Sequence, residues 1–241
     1  MSSTGWSTFS AFVRKAAASG TTSDPRPDLN QIQRDYQVVD DRMVEYTPWG
    51  VGWFVDPRQI TATEKKMLDK LQHWKGLLGL QTFKDISDKA LRVSAERFPD
   101  RRIRPSHVPL ARLREWIGQD GHRDAFRHSY WNAMLTRQFG AGWTQQFTTA
   151  HEGVPGNFAD REAMDLYNNE VGRKIALANP KESEEALATL IEQALNAGKM
   201  VVIAKTGGLE WSDRVALWDH GLSDEVPGTG GMQTPNGEAR V

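Results

Sequence analysis

A mainly α-helical bundle, compact and with at most a minor β element, is the fold class this sequence predicts, and three observations predict it. Apolar residues recur at three- and four-residue spacing through most of the stretch from Thr61 to Ala197, which is the period of a helix face. The breaks between these runs carry Gly79, Pro99, Gly118, Gly140, Gly153, Pro180 and Gly198, residues that end helices. Candidate β segments are confined to residues 36–57 and 200–204.

Taken in order, residues 1 to about 35 are rich in Ser, Thr, Gly and Pro, with a short amphipathic piece at Phe9 to Ala18. Such a composition buries little and reads as a loosely held arm. From Tyr36 to Pro57, Val38-Val39, Met43-Val44 and the Trp49 to Val55 run mix aromatics with glycines, as irregular wrapping over the core or as a small hairpin. Thr61 to Thr63 cap a helix with Glu64 in its first turn; Met67, Leu68, Leu71, Trp74, Leu77 and Leu78 follow at helical spacing, and Gly79 ends the run. A second helix fits Thr82 to Phe98, and a shorter one Pro105 to Ile117, carrying Leu110, Leu113 and Trp116. Asp120 is placed to cap a central helix to about Phe139. Further helices fit Gly142 to His151, Ala159 to Ala178 and Glu182 to Ala197. Met200 to Ala204 is a short strand or buried turn, Ser212-Asp213 cap a last short helix through Trp218, and the Gly- and Pro-rich end is disordered. The resulting division is an arm and wrapping segment over 1–57, a helical catalytic-type domain over 58–222 and a tail over 223–241.

Lys and Arg together number 30 against 31 Asp and Glu, which argues against nucleic-acid binding by a general basic surface. No apolar run approaches the roughly 20 residues of a membrane-spanning helix. The order of Phe9 to Val13 before Arg14-Lys15 is the reverse of a secretory signal. With 0 cysteines, thiol catalysis and disulfides are excluded, and any metal must be held by His, carboxylates and amide oxygens.

The polar residues of the central helix carry the chemistry. Asp124 and His128 are four apart, so their side chains stack on one face, where they can share a metal ion, form an oriented general base or make a core hydrogen bond. His122 and Arg127 lie where an anionic group can be bound. Asp165, Asn168, Asn169 and Gly172 form a second polar stripe on a later helix, and His151-Glu152 sit where a helix meets a turn. These positions assign Glu152, His128, Arg127, Asn169 and His122 to catalysis, and Asn168, Trp131 and Tyr130 to substrate contact. Asp124, His128, His151 and Asp165 are the candidate ligands of a divalent metal, zinc or magnesium. The competing readings are structural: Arg127 paired with Glu152 or Asp165 as a helix-registering ion pair, the asparagines bonding local backbone, and His73, His107 and His220 playing no part in chemistry.

The run Asp124-Ala-Phe-Arg127-His128-Ser-Tyr130-Trp131-Asn132, then Thr149-Ala-His151-Glu152, then Met164-Asp165-Leu-Tyr-Asn168-Asn169-Glu-Val-Gly172, resembles an uncharacterised bacterial domain. That domain is found at the toxic tips of Rhs/YD-repeat proteins, in envelope lipoproteins and in secreted effectors. The resemblance covers about residues 118 to 178. It implies a helical antibacterial effector made in the bacterial cytoplasm and exported without a classical signal peptide by a type VI or related secretion machine. Such an effector acts in the target-cell periplasm or envelope, with a cognate immunity protein and a secretion-machine component as partners. The order His128, His151-Glu152, Asp165 is also similar to metal phosphohydrolases of the His…His-Asp…Asp type, although Glu replaces the Asp and the last spacing is shorter. The expected function is a metal-dependent hydrolase of phospholipid or peptidoglycan. The alternatives are a metal-independent muramidase-like enzyme using Glu152 and Asp165 as paired carboxylates, and a non-enzymatic helical binding module.

Overall fold

The fold begins from its best-capped helix. In the computed structural model, which describes residues 26–48, 58–101 and 104–223, Thr61 Oγ1 accepts the Glu64 amide at 3.1 Å while Glu64 Oε2 accepts the Thr61 amide at 2.8 Å. This reciprocal box satisfies two amides that the first turn of a helix leaves open. The described elements are α1 (Leu29–Asp35), β1 (Met43–Tyr46), β2 (Arg58–Thr61), α2 (Ala62–Arg97), α3 (Leu113–Gly118), α4 (His122–Phe139), α5 (Ala141–Glu152), α6 (Ala159–Ala178), α7 (Glu184–Asn196), β3 (Val201–Ile203) and β4 (Leu209–Trp211). The fold is mainly α, with two small antiparallel hairpins that pair β1 with β2 and β3 with β4.

Helix α4 is the centre: α2, α5, α6 and α7 all pack on it. Its apolar face puts Phe126, Tyr130 and Leu135 into a core shared with Phe147 of α5 and with Leu187, Ile191 and Leu195 of α7. Helix α6 comes closest, because Gly172 has no side chain where it crosses Ser129; a Cβ there would stand 2.0 Å from the Ser129 carbonyl oxygen. Ser129 Oγ donates to the Asn168 carbonyl at 2.8 Å across the same crossing.

Several elements differ from the sequence reading for local reasons. The two helices expected on either side of Gly79 are one element broken at Gly76, whose φ of 65° lies outside the helical region. Gly79 is instead a close-approach position, where a Cβ would lie 2.5 Å from Lys75 Cβ. Met67, Leu68 and Leu71 are buried, but Trp74, Leu77 and Leu78 are exposed. The stretch from Pro105 supplies only a 3-10 turn at Leu110–Arg112 and the short α3. Gly121, not Asp120, is the N-cap of α4. Among the described residues no helix follows Ser212, where turns lead instead to the buried Ser223.

The described part of the expected amino-terminal arm, from residue 26, is held to the fold. Asp28 Oδ1 accepts the Gln31 amide at 3.0 Å and caps α1, and Ile32, Tyr36 and Val38 pack with Ala163, Met164 and Leu166 of α6. The boundary drawn after residue 57 therefore cuts the β1–β2 hairpin. Phe9 to Ala18 and Trp49 to Val55 lie outside the described residues, as does the tail from residue 224. Ser223, by contrast, is held: its amide donates to Asp120 Oδ2 at 3.0 Å and its carbonyl accepts from Arg112 at 2.9 Å.

Candidate functional site

Three helices bring their polar residues to one place. The i, i+4 spacing on α4 sets Asp124 and His128 one turn apart, and the Ser129–Gly172 crossing draws α6 in far enough to deliver Asp165. His128 Nε2 then lies 3.5 Å from Asp124 Oδ1 and 3.5 Å from Asp165 Oδ1. On the other side of the ring, His128 Nδ1 lies 3.5 Å from Oε1 of Glu152, at the end of α5. All four side chains are buried. The ligand atoms of Asp124, His128 and Asp165 lie within 4.8 Å of one another, and the two His128–aspartate separations of 3.5 Å match the roughly 3 to 3.5 Å of atoms that share an ion at about 2.1 Å. The group can therefore in principle hold a metal ion.

Charge is out of balance there. Three carboxylates, Asp124, Asp165 and Glu152, surround the imidazole, and the Arg127 guanidinium donates to Asp124 Oδ1. Asp165 Oδ1 has no hydrogen-bond partner among the described residues. Burial pushes the Glu152 pKa up to about 7, and burial followed by the charges of Asp124 and Glu152 pushes that of Asp165 well above the usual range. Burial and the nearby Arg127 hold the His128 pKa well below its ordinary value, which leaves a neutral ring, the ligand form of histidine. A divalent cation would balance the two negative charges in excess of Arg127; without one, protons must do so.

A layer of amides supports this centre. Asn169 Nδ2 donates to Glu152 Oε1 at 3.3 Å, and Asn169 Oδ1 accepts from Asn132 Nδ2. Asn132 Oδ1 in turn accepts from Thr148 Oγ1 at 2.9 Å and from Arg173 at 3.0 Å. Asn132, Thr148 and Arg173 were not assigned from sequence, although Asn132 stands one turn from His128 on the same helix. That spacing was the available signal for it.

The structure places other sequence candidates elsewhere. His122 is buried and its Nε2 lies 2.9 Å from the Ser212 carbonyl, a tie to the end of β4. Asn168 brackets Val201, donating to its carbonyl at 2.9 Å and accepting its amide at 3.1 Å; it positions β3 and is spent on backbone. Tyr130 is stacked on Phe126 in the core. Arg127 pairs with Asp124, not with Glu152 or Asp165. Trp131 is half-buried at the rim, its Nε1 donating to Ser87 at 3.0 Å and its ring edge-on to His151. His220 is stacked on Trp116.

His151 lies outside the Asp124–His128–Asp165 group, and its Nδ1 lies 2.8 Å from Glu64 Oε1. Burial alone would lower its pKa, but the Glu64 carboxylate raises it to about 9. A raised histidine pKa contributes stability that is fully present below the unfolded value of about 6.5 and lost as pH rises through the folded value. On the acid side, the contribution of Glu64 is lost as pH falls through its lowered pKa, burial opposing and His151 producing that shift. Against His151→Asn, the wild type should therefore lose about 1 kcal/mol of its advantage in urea denaturation between pH 6 and pH 10. The figure is kept small because His151 retains 42% side-chain exposure. An advantage independent of pH would remove the ion pair from the account.

Fold and site together define a mainly helical protein with a buried Asp–His–Asp centre and a further carboxylate on the far side of the imidazole. The chain belongs to the family described as Domain of unknown function (DUF6973), whose profile matches residues 74–199. That span contains Asp124, His128, Glu152 and Asp165 and begins well before the stretch from 118 that carries the effector resemblance. No curated protein matches the chain, and no solved structure does.

Proposed function

We propose that this protein is a divalent-metal-dependent hydrolase acting on phospholipid of the bacterial envelope. The observation that carries the reading is the excess of buried carboxylates around one neutral imidazole, with Asp165 Oδ1 unpartnered. Asp124, His128 and Asp165 would hold the ion, and an imidazole among the ligands favours zinc over magnesium. The ion would supply Lewis acidity and a water of lowered pKa. Glu152 takes a different role from that expected from sequence. It lies 3.5 Å from Nδ1, away from the ligand atoms. Although Nδ1 makes no hydrogen bond among the described residues, the carboxylate would orient His128 and keep Nε2 directed at the two aspartates once Nδ1–H turns to it. Asn169 holds Glu152 in turn.

The choice of phospholipid rests on charge at the rim. Arg127 and His151 are the part-exposed cations beside the centre, and a phosphodiester brings the negative charge that a glycosidic or peptide bond lacks. The paired-carboxylate reading for glycan cleavage fits less well, because the His128 ring stands between Glu152 and Asp165, where the sugar would have to lie. The effector resemblance supports delivery by a secretion machine and pairing with an immunity protein; both belong to this proposal.

The test is the metal content of purified protein, followed by product analysis after incubation with phospholipid vesicles and, separately, with bacterial sacculi, before and after chelation. Phosphodiester cleavage in vesicles that chelator removes and zinc restores is the expected result. Glu152→Gln should retain the fold and lose about 10- to 100-fold in activity or metal affinity. Absence of bound metal with products indifferent to chelator would overturn the metal reading, and products from sacculi alone would overturn the substrate.

A further inference from the structure

The break in α2 makes a corner that the centre does not use. Gly76 turns the chain there, with φ of 65°, and the absence of a side chain at Gly79 lets the second half of the helix close against Lys75. This leaves Trp74 at 68%, Leu77 at 48% and Leu78 at 80% exposure, within four residues of one another across the break. Three large apolar side chains held in water by a well-defined backbone are an unfavourable arrangement unless something covers them. Within the corner itself the charge has one sign, although Lys84 is paired with Asp88. Between Asp69 and Asp85 the sequence carries Lys70, Lys75 and Lys84 and no acidic residue. Lys66, Lys70 and Lys75 make no ion pair among the described residues, and the Lys75 ammonium lies 4.4 Å from the Trp74 ring centroid.

We infer that this corner is a docking site for an anionic lipid surface. The chemistry matches at each depth: Leu77 and Leu78 reach the acyl boundary, the Trp74 indole sits at headgroup level, and the lysines meet lipid phosphates while their stems lie along apolar surface. A protein partner fits less well. Lysine is depleted at the centres of protein interfaces, and three side chains fall far short of the roughly 800 Å² per partner that a stable interface buries. Among the described residues no helix is long and apolar enough to cross a membrane, so the contact is one of lying on the bilayer surface. The inference does not depend on the metal centre.

The experiment is co-sedimentation of the full chain with vesicles of phosphatidylglycerol and phosphatidylethanolamine, and with vesicles of phosphatidylcholine alone, in chelator so that hydrolysis does not enter. Binding to the anionic vesicles is expected, weakened by about 0.5 M salt, where charges are screened within about 4 to 5 Å. Leu77→Ser with Leu78→Ser, and separately Lys70→Glu with Lys75→Glu, should each weaken it by about tenfold or more. All four side chains are exposed, so circular dichroism and thermal melting should not change. No binding to anionic vesicles, or binding undiminished in both double variants, would overturn the inference. So would dimerisation without lipid that the leucine variant abolishes, since that assigns the corner to a second copy of the chain.

Discussion

Gly172→Ala should lower the stability of this protein by more than a typical core substitution and uncouple its candidate site at the same time. The added methyl carbon would lie 2.0 Å from the Ser129 carbonyl oxygen and 2.7 Å from its carbonyl carbon. Both are backbone atoms inside a helix and cannot swing aside as a long side chain can. Alanine is otherwise the better helix former by about 1 kcal/mol, so a net loss isolates the crossing as its cause. Overpacking costs about 1–3 kcal/mol where side chains can adjust and more where they cannot, so about 3 kcal/mol or more is expected from urea denaturation. Helices α4 and α6 must separate to admit the methyl, which carries Asp165 away from His128. Any stabilisation by divalent metal should therefore fall with the loss in stability. An alanine variant as stable as the wild type would mean that α4 and α6 cross less closely than 2.0 Å implies.

The same crossing explains why the site was readable from sequence and much of its surroundings was not. Asp124 and His128, and Asp165 and Asn169, are polar pairs at four-residue spacing on helices whose other faces are apolar, and helical periodicity alone puts each pair on one face. Residues 159–178 were bounded correctly because acidic residues open the helix and Asn179-Pro180 closes it. Tertiary events are what periodicity does not encode. Trp74, Leu77 and Leu78 continue the repeat of Met67 and Leu71, yet Gly76 redirects the chain and turns them out to solvent. His122 and Asn168 have the residue types of a site but are used up on the backbone of Ser212 and Val201, contacts about 90 and 33 positions away in sequence. Sequence places Glu64 only in the first turn of a helix capped by Thr61 to Thr63, where it closes the capping box; its second oxygen also holds His151, a contact visible only with α2 and α5 side by side.

Asp165→Asn should have opposite effects on the metal-free and metal-bound protein, and this separates a metal centre from a polar scaffold. The substitution keeps size and shape while removing one of the buried carboxylates that crowd His128. Burial first, then the neighbouring Asp124 and Glu152, raises the Asp165 pKa. A raised carboxyl pKa gives stability that is present below the ordinary aspartate range and lost as pH rises through the folded value. In chelator, Asp165→Asn should therefore match the wild type near pH 4, at the unfolded aspartate value of about 3.9, and exceed it by about 1–3 kcal/mol near pH 8, because removing an uncompensated buried charge relieves both its desolvation and its repulsion. With zinc added, the order should reverse. The wild type gains about 2.7 kcal/mol when free metal reaches a hundred times its dissociation constant, and the variant, one anionic ligand short, gains far less. If Asp124, His128 and Asp165 serve only to hold three helices together, zinc moves neither melting curve and the two proteins keep the same order at every metal concentration. The reversal requires an ion in the place where the carboxylates converge, whatever bond the protein goes on to break.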